Sequence, residues 1–387
     1  MSKSKNVNFK VGVVLPAAGS GERFGSDIPK QYCHVLHRPI ILHAIDTFLR
    51  QPWIHKIIIV SSELEQMYKY LSEYSPENFK KLHVTIGSST RHKSIYCGLQ
   101  ALEKIDKSIE VVIIHDGVRP VIPQTILEEV VMAAKTYGAA GVIRPLVSTV
   151  ISQDEEKLLD VVLDRTKYYA SEMPQAFTFN MILDAYSKCS GHDLDVGTEC
   201  LQIAKDYGNI RAYLVVSDYD LWKVTYKKDL YATEGILKEG MQICIKTDGV
   251  NNDFLECMKY NLSKTFKNVK VDKNKVEDDF ITKSSVIQFH KNKSLMQVVN
   301  EDFENSTVIK NTVVHLVVHS EFRMDEHFEI SKKVKELVKL RRIHNSFIYY
   351  VCLKNDDWIS QNNHVCEIIA DLLFSNSSAL SGQIFYV

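Results

Sequence analysis

The sequence predicts an α/β protein of two domains, and three observations carry that reading. Short β-branched runs alternate with helix-period segments through the first half. The length, 387 residues, exceeds what one ordinary hydrophobic core organises. After Gly235 the composition shifts toward Lys and Asn and glycine nearly disappears, which places a boundary near Gly240, between a domain over 1–240 and a smaller one over 241–387.

Taken in order, Val11 to Leu15, Lys56 to Ser61, His83 to Ile86, Val111 to His115 and Gly141 to Leu146 read as strands. Ile40 to Leu49, Ser94 to Ile105 and Thr125 to Tyr137 read as amphipathic helices between them. That is the rhythm of βαβ units, so the sheet is expected to be mostly parallel and covered on both faces, with ligands beyond the strand carboxyl ends. From Ser148 to Pro174 the rhythm breaks. Val150 and Ile151, a charged turn at Asp154 to Lys157, and Leu158 to Leu163 suggest a two-stranded arm. Such an arm is marginal alone, so a second copy of the chain is expected to cover it.

In the second half, Gln242 to Ile245, Ser285 to Phe289, Val313 to Val318 and Phe347 to Leu353 read as strands, with helices at Ser331 to Leu340 and Cys366 to Phe374 and a polar run from Val269 to Asp279. This is a second α/β domain without a phosphate loop. Tyr260 and Lys264 have the spacing used by short-chain dehydrogenases, but without a glycine-rich dinucleotide loop they read as a helix surface pair.

A net charge of -1 removes any global electrostatic case for nucleic acid or an anionic membrane and leaves a small-molecule partner. No apolar run reaches the roughly 18 to 20 residues that span a bilayer. Val11 to Leu15 is too short for a signal-peptide core, so a cytosolic protein is expected. The eight cysteines contain no Cys-x-x-Cys pair and the fourteen histidines no His-Glu-x-x-His, so neither a disulfide framework nor a structural metal is indicated; most cysteines are expected reduced and buried.

Chemistry concentrates first where strand Val11 to Leu15 runs into Pro16, Ala17, Ala18, Gly19, Ser20, Gly21, Glu22 and Arg23. Small residues there let backbone N–H groups approach an anion, and Arg23 and Lys30 can add fixed positive charge: the pattern suits a triphosphate. A dinucleotide loop needs Gly-x-Gly-x-x-Gly, but Phe24 stands at the sixth place and Gly25 arrives one residue late. A P-loop needs four residues between its glycines, whereas Gly19 and Gly25 enclose five. The polar run through Asp27 and Pro29 also delays any helix, so the loop itself must wrap the ligand.

Other turns follow other strands. Gly87, Ser88, Ser89, Thr90, Arg91 and Ser94 offer small residues and hydroxyls suited to a nucleobase edge, although Ser or Thr before a helix is ordinarily a cap. Asp116 follows a buried strand and opens the turn Gly117, Val118, Arg119, Pro120. Its carboxylate can hold a metal ion or substrate hydroxyls, and Arg119 a phosphate. Thr149, Asp164 with Arg165, and Lys223 in a β-like run before Thr225 complete the set.

In this order, Pro16 to Arg23, Pro29 to Tyr32, Gly87 with Arg91 and Ser94, His115 to Pro120, Thr149, Asp164 with Arg165, Pro174 with Gln175, and Lys223 to Thr225 resemble the cytidylyltransferases that act on methylerythritol 4-phosphate and ribitol 5-phosphate. The resemblance spans roughly residues 9 to 237 and implies a Rossmann-like nucleotidyltransferase domain. It implies that Arg23, Lys30 and Lys223 are catalytic and that Ala17, Ala18, Gly19, Gly21, Gly87, Ser88, Arg91, Ser94 and Asp116 bind CTP. Asp116, Arg119, Thr149, Arg165 and Lys223 would meet the polyol phosphate, Mg2+ would be the cofactor with Asp116 as its ligand, and the β-arm would make a homodimer.

Two positions depart from the family pattern: Ser88 stands where many members have a second glycine, and Met173 where a threonine often touches substrate. The second removes a hydroxyl from the acceptor pocket. The C-terminal domain is absent from ordinary bacterial members and is similar to that of the animal branch, which makes CDP-ribitol for glycan synthesis. The alternatives are the methylerythritol-phosphate reaction and an inactive nucleotide-binding scaffold.

Overall fold

The computed structural model describes residues 7–19, 24–25, 28–36, 38–74, 80–248, 252–272, 285–290, 293–304, 312–319, 324–342, 348–354, 362–375 and 381–386. The chain divides into two compact units, one built mainly from residues up to Thr233 and the other from Glu234 onward.

The first unit holds strands β1 (Val11–Pro16), β2 (His34–Val35), β3 (Arg38–Pro39), β4 (Ile54–Ser61), β5 (Leu82–Ile86), β6 (Val111–Ile114), β7 (Ala139–Pro145), β8 (Ile151–Gln153), β9 (Leu159–Val162), β10 (Tyr169–Thr178) and β11 (Tyr213–Val216). Its helices are α1 (Ile40–Leu49), α2 (Leu64–Tyr74), α3 (Arg91–Ile105), α4 (Gln124–Tyr137), α5 (Phe179–Lys188), α6 (Gly191–Val196), α7 (Cys200–Gly208) and α8 (Asp229–Gly240), the last running past the division. The main sheet has seven strands in the order β11-β7-β10-β6-β1-β4-β5. All pairings are parallel except those of β10, which runs antiparallel to both β6 and β7. The near-continuous apolar runs of β1, β4 and β6 are what a sheet covered on both faces requires, and Val14, Ile58 and Ile114 share one core cluster with Leu99 of α3 and Ile182 of α5.

The five expected strands and three expected helices of this half all form, with ends shifted by at most three residues. Helix α3 begins at Arg91 rather than Ser94, because Thr90 caps it: its hydroxyl accepts from Lys93 N at 3.3 Å. The arm also forms, β8 pairing antiparallel with β9, and Asp154 Oδ1 organises its turn by accepting from the backbone of Glu156 and Leu158. Two readings are corrected. The excursion does not run to Pro174: β10 takes over at Tyr169, and Pro174 is accommodated at a register shift between Glu172 and Gln175, where a ladder donor is not needed. Lys223 lies in no strand; residues 221–225 are irregular backbone.

The second unit is a six-stranded, wholly parallel sheet in the order β13-β12-β14-β15-β16-β17: β12 (Gln242–Asp248), β13 (Asn268–Asp272), β14 (Ser285–His290), β15 (Val313–His319), β16 (Ile348–Lys354) and β17 (Ile384–Tyr386). Helices α9 (Asn252–Ser263), α10 (Leu295–Glu304), α11 (Met324–Arg342) and α12 (Asn362–Ser375) accompany it. Its apolar faces form two clusters, one with Ile245, Leu316, Val351 and Ile369, the other with Val298, Val317, Val334 and Tyr350. The start of the polar run expected from Val269 is an edge strand, since the alternation Val269-Lys270-Val271 suffices to bury one face; residues 273–279 lie outside the described residues. Lys264 Nζ sits 4.7 Å from the exposed Tyr260 ring, so the two form a surface pair.

Among the described residues no helix is long and apolar enough to cross a membrane. All eight cysteines are thiols, but only Cys200, Cys244 and Cys366 are fully buried.

Candidate active site

The loops that leave the carboxyl ends of β1, β5 and β6 meet along one edge of the first sheet. Parallel strands make this geometry unavoidable, because β1 lies beside both β4 and β6 and β5 follows next in order. After β1, Ala17 N donates to Val60 O at 2.8 Å, which ties the loop to the end of β4. Buried Gln31 donates its amide to Ala17 O at 2.8 Å and to Gly19 O at 3.5 Å, so these carbonyls face inward, away from where an anion would sit. Among the described residues, a Cβ added to Gly19 would meet nothing within 4 Å. Ser20 to Arg23, including Gly21 and Arg23, lie outside the described residues.

The second turn closes on the first. Gly87 N donates to Ser61 O at 2.9 Å. Ser94 Oγ accepts from Ser88 N at 2.9 Å and lies 3.1 Å from Ser88 O, so one hydroxyl fixes the turn's shape. A Cβ on Gly87 would stand 2.5 Å from Ala18 Cβ, so only glycine permits the two turns to touch. Ala17, Ala18, Gly19, Gly87, Ser88 and Ser94 are thereby brought together.

Asp116 forms the electrostatic centre. Its side chain is 7% exposed, and three cations converge on it: Arg91 Nη2 at 2.9 Å and Arg91 Nε at 3.2 Å on Oδ1, Arg119 Nε at 3.3 Å and Lys223 Nζ at 3.1 Å on Oδ2. Burial by itself raises the carboxyl pKa, but Arg91, Lys223 and Arg119 outweigh it and hold Asp116 well below the usual carboxylate range. Lys30 approaches from another side, donating to Val224 O at 3.3 Å. The irregular segment around Lys223 is pinned by Val224 N on Val118 O at 3.0 Å and by Asp229 Oδ2, which accepts from Thr225 N at 2.8 Å and Tyr226 N at 2.7 Å. His115, wholly buried, anchors the turn with Nε2 2.9 Å from Arg119 O, and burial lowers its pKa to about 4.

Arg91, Arg119 and Lys223 thus gather around one carboxylate, with Lys30 held at the neighbouring Val224, an excess of positive charge that suits an anion of more than one charge. Arg91, expected at the nucleotide, directs its guanidinium to Asp116. Thr149 and Arg165 are not brought to this cluster. Both are exposed at the base of the arm, where Arg165 donates to Val147 O at 2.7 Å. The expectation of a metal at Asp116 is not met by the geometry. Both of its oxygens already face cations within 3.3 Å, and a further cation there would meet like charge. Among the described residues no three His, Cys, Asp or Glu side chains converge to hold a metal ion elsewhere.

Three further residues act by holding others: Gln31, which falls within the Pro29 to Tyr32 motif, Asp229, recognisable as an acid at the start of a helix, and Glu172, which carries no sequence signal.

The family model described as IspD, 2-C-methyl-D-erythritol 4-phosphate cytidylyltransferase, matches residues 11–239. The chain belongs to this family. Among curated relatives, the D-ribitol-5-phosphate cytidylyltransferase of Xenopus tropicalis is 47% identical over 62% of this chain and 60% of that protein. The Homo sapiens protein of the same name is 47% identical over 62% of this chain and 54% of its own length. The 2-C-methyl-D-erythritol 4-phosphate cytidylyltransferase of Clostridium botulinum is 32% identical over 59% of this chain and 98% of that protein. The chain therefore spans little more than half the length of the animal relatives it matches. Among solved structures, the 4-diphosphocytidyl-2C-methyl-D-erythritol synthase of Anaerococcus prevotii superposes with a TM-score of 0.50 at 26% identity, over 59% of this chain and 96% of that one. In this cytidylyltransferase family chain, the matched segment contains the whole Asp116 cluster and both turns.

Proposed function

We propose that the protein transfers CMP from CTP to D-ribitol 5-phosphate, giving CDP-ribitol, a donor for glycan synthesis, and pyrophosphate. The observation that carries the reading is the cation cluster on Asp116, set beside a small-residue loop. The choice of acceptor rests on relatives of that name at 47–48% identity, against 32% for the methylerythritol-phosphate enzymes.

The mechanism follows from charge. A phosphate monoester has a second pKa of about 6, so at neutral pH the acceptor is already a dianionic nucleophile and needs no general base. Its difficulty is repulsion by the triphosphate. Arg119 and Lys223, both within 3.3 Å of Asp116 Oδ2, present cations to one phosphate-sized region, while Lys30 serves the nucleotide side with Arg23. Attack in line on the α-phosphorus then expels pyrophosphate, and the side chains offset the charge that accumulates as the two anions close. Gly87, Ser88 and Ser94 orient the cytosine.

We propose further that the arm joins two copies of the chain. Ile151, Leu158, Leu159 and Val162 on it are 59%, 60%, 63% and 56% exposed, an apolar surface that needs covering. The activity is tested with the purified protein, CTP, Mg2+ and a panel of sugar and polyol phosphates, read as pyrophosphate release. Release with ribitol 5-phosphate is expected, and release with no acceptor would contradict the reading.

A further inference from the structure

We infer that Glu172 is a specificity-determining residue of the acceptor pocket: it holds Arg119 with one carboxylate oxygen and accepts a hydroxyl of a polyol chain with the other. The inference rests on the proposed polyol phosphate acceptor.

Strand β10 runs antiparallel to its neighbours, so its early residues lie at the carboxyl edge where the parallel strands deliver their loops. Gln175 pairs with Ile114, the last residue of β6, and Glu172 therefore stands beyond that strand's end, on the side where Asp116 follows. Across β7, Arg144 pairs with Ala170, and because side chains alternate along a strand, Glu172 shares a face with it. A carboxylate is thus delivered between two arginines from different strands and turns.

The two oxygens of Glu172 are used differently. Oε2 accepts from Arg119 Nη1, the same guanidinium nitrogen that donates to Leu221 O at 2.5 Å, while Arg119 Nε is on Asp116. The guanidinium is fixed on two edges and leaves Nη2 for an anion. Among the described residues Oε1 accepts no hydrogen bond; its nearest cation there, Arg144 Nη2, is 3.7 Å away and is itself engaged through Nη1 with Asp220 at 3.0 Å. With its side chain 13% exposed, Glu172 keeps Oε1 open to solvent. An ionised carboxylate accepts and cannot donate, so a ligand group here must be a donor. A phosphate on Arg119 and Lys223 would extend its carbon chain past this oxygen, and the donors on a polyol phosphate next to its phosphate are hydroxyls. An acceptor with a methyl group or hydrogen at that place would leave a charged acceptor desolvated and unpaired, which is how a polar site rejects an analogue. Met173, the neighbouring departure from the family pattern, is 6% exposed and packed away, so the discriminating group on this strand is Glu172.

The test compares the full chain with Glu172→Leu and Glu172→Gln, measuring Kd for ribitol 5-phosphate and for inorganic phosphate by calorimetry, and KM and kcat for ribitol 5-phosphate and CTP. A hydrogen bond to a charged group predicts that Glu172→Leu weakens ribitol 5-phosphate binding by about 10- to 100-fold. Inorganic phosphate, which reads the cations alone, should change by no more than about twofold. kcat and the KM for CTP should stay within about threefold, and Glu172→Gln, which keeps an acceptor oxygen, should recover much of the loss. If phosphate and ribitol 5-phosphate weaken together, Glu172 acts only by holding Arg119 and the hydroxyl contact is refuted; if neither weakens, the hydroxyl contact is refuted as well. Wild-type protein that binds ribitol 5-phosphate without turning it over would sink the proposed activity alone, the Kd ratio still deciding the role of Glu172. Absence of binding to the wild type would overturn both.

Discussion

Lys223 Nζ lies 3.1 Å from Asp116 Oδ2, the oxygen that also faces Arg119 Nε, so a residue in irregular backbone and one at a strand end share a single charge centre. The arrangement explains why a buried carboxylate remains ionised in this enzyme family's site. Under the proposed function it separates two roles: Asp116 would organise, and the cations around it would act.

That separation is testable by substitution. Lys223→Met should lower kcat on the order of 10³-fold, as loss of a well-placed cation does in phosphoryl transfer. The fold should survive it, since Lys223 is 35% exposed and Arg91 and Arg119 still satisfy Asp116. Lys30→Ala should behave alike. Asp116→Asn should instead destabilise, by about 1–3 kcal/mol, because Arg119 loses part of its counter-charge in a buried site while solvent screens the partly exposed Arg91 and Lys223. The depressed carboxyl pKa sets the pH range: the stabilisation is complete above the ordinary carboxylate pKa and is lost only as pH falls through the lower native value. Wild type and Asp116→Asn should therefore differ by the same amount at pH 6 and pH 8. Near-normal kcat for Lys223→Met, or an unchanged melting temperature for Asp116→Asn, would contradict these roles.

Gly87→Ala tests the contact between the nucleotide turns. Its Cβ would stand 2.5 Å from Ala18 Cβ and 3.1 Å from Ser94 Oγ, and Ala18 Cβ can retreat only by moving backbone. The KM for CTP should rise by roughly tenfold or more, with Kd for the polyol phosphate little changed. Equal weakening of both substrates would show that the two turns do not form a separate nucleotide subsite.

His115 gives the site a predictable acid sensitivity. Its native pKa of about 4, lowered mainly by burial, lies under the unfolded value near 6.5. Between these values the unfolded chain binds a proton that the native state refuses, so stability falls as pH falls through that window. From pH 7 to pH 5, wild type should lose about 2 kcal/mol more than His115→Asn in urea denaturation. Parallel losses would show that His115 does not titrate this way.

The arm makes the prediction about assembly. Deleting Gln153 to Lys157 with the flanking residues of β8 and β9 should convert a dimer to a monomer on gel filtration, while leaving the main sheet intact. An unchanged elution volume would remove the arm from the interface.

Much of this site was legible before the fold was known. The loop after Leu15, the turn at Gly87, and Asp116 with Arg119 follow apolar runs that had to be parallel strands, and parallel strands deliver their following loops to one edge. What remained hidden depended on three-dimensional closure. Glu172 lies on an antiparallel strand interrupted by Pro174, and a proline inside an apolar segment reads as its end until the register shift is seen. Lys223 resembled strand because its neighbours are apolar, yet Val224 is buried by a turn pinned through Asp229. The partnership of Arg91 with Asp116 had no local signature, since it joins a helix start to a different strand's end.

Whether the Asp116 cluster serves ribitol 5-phosphate in its attack on CTP is decided by the ratio of kcat/KM for ribitol 5-phosphate over methylerythritol 4-phosphate. With CTP saturating and pyrophosphate release as readout, a ratio above about 100 is predicted, within the range a hydrogen-bonding site can reach against an imperfect analogue. A ratio below one would assign the site to the other acceptor and contradict the account.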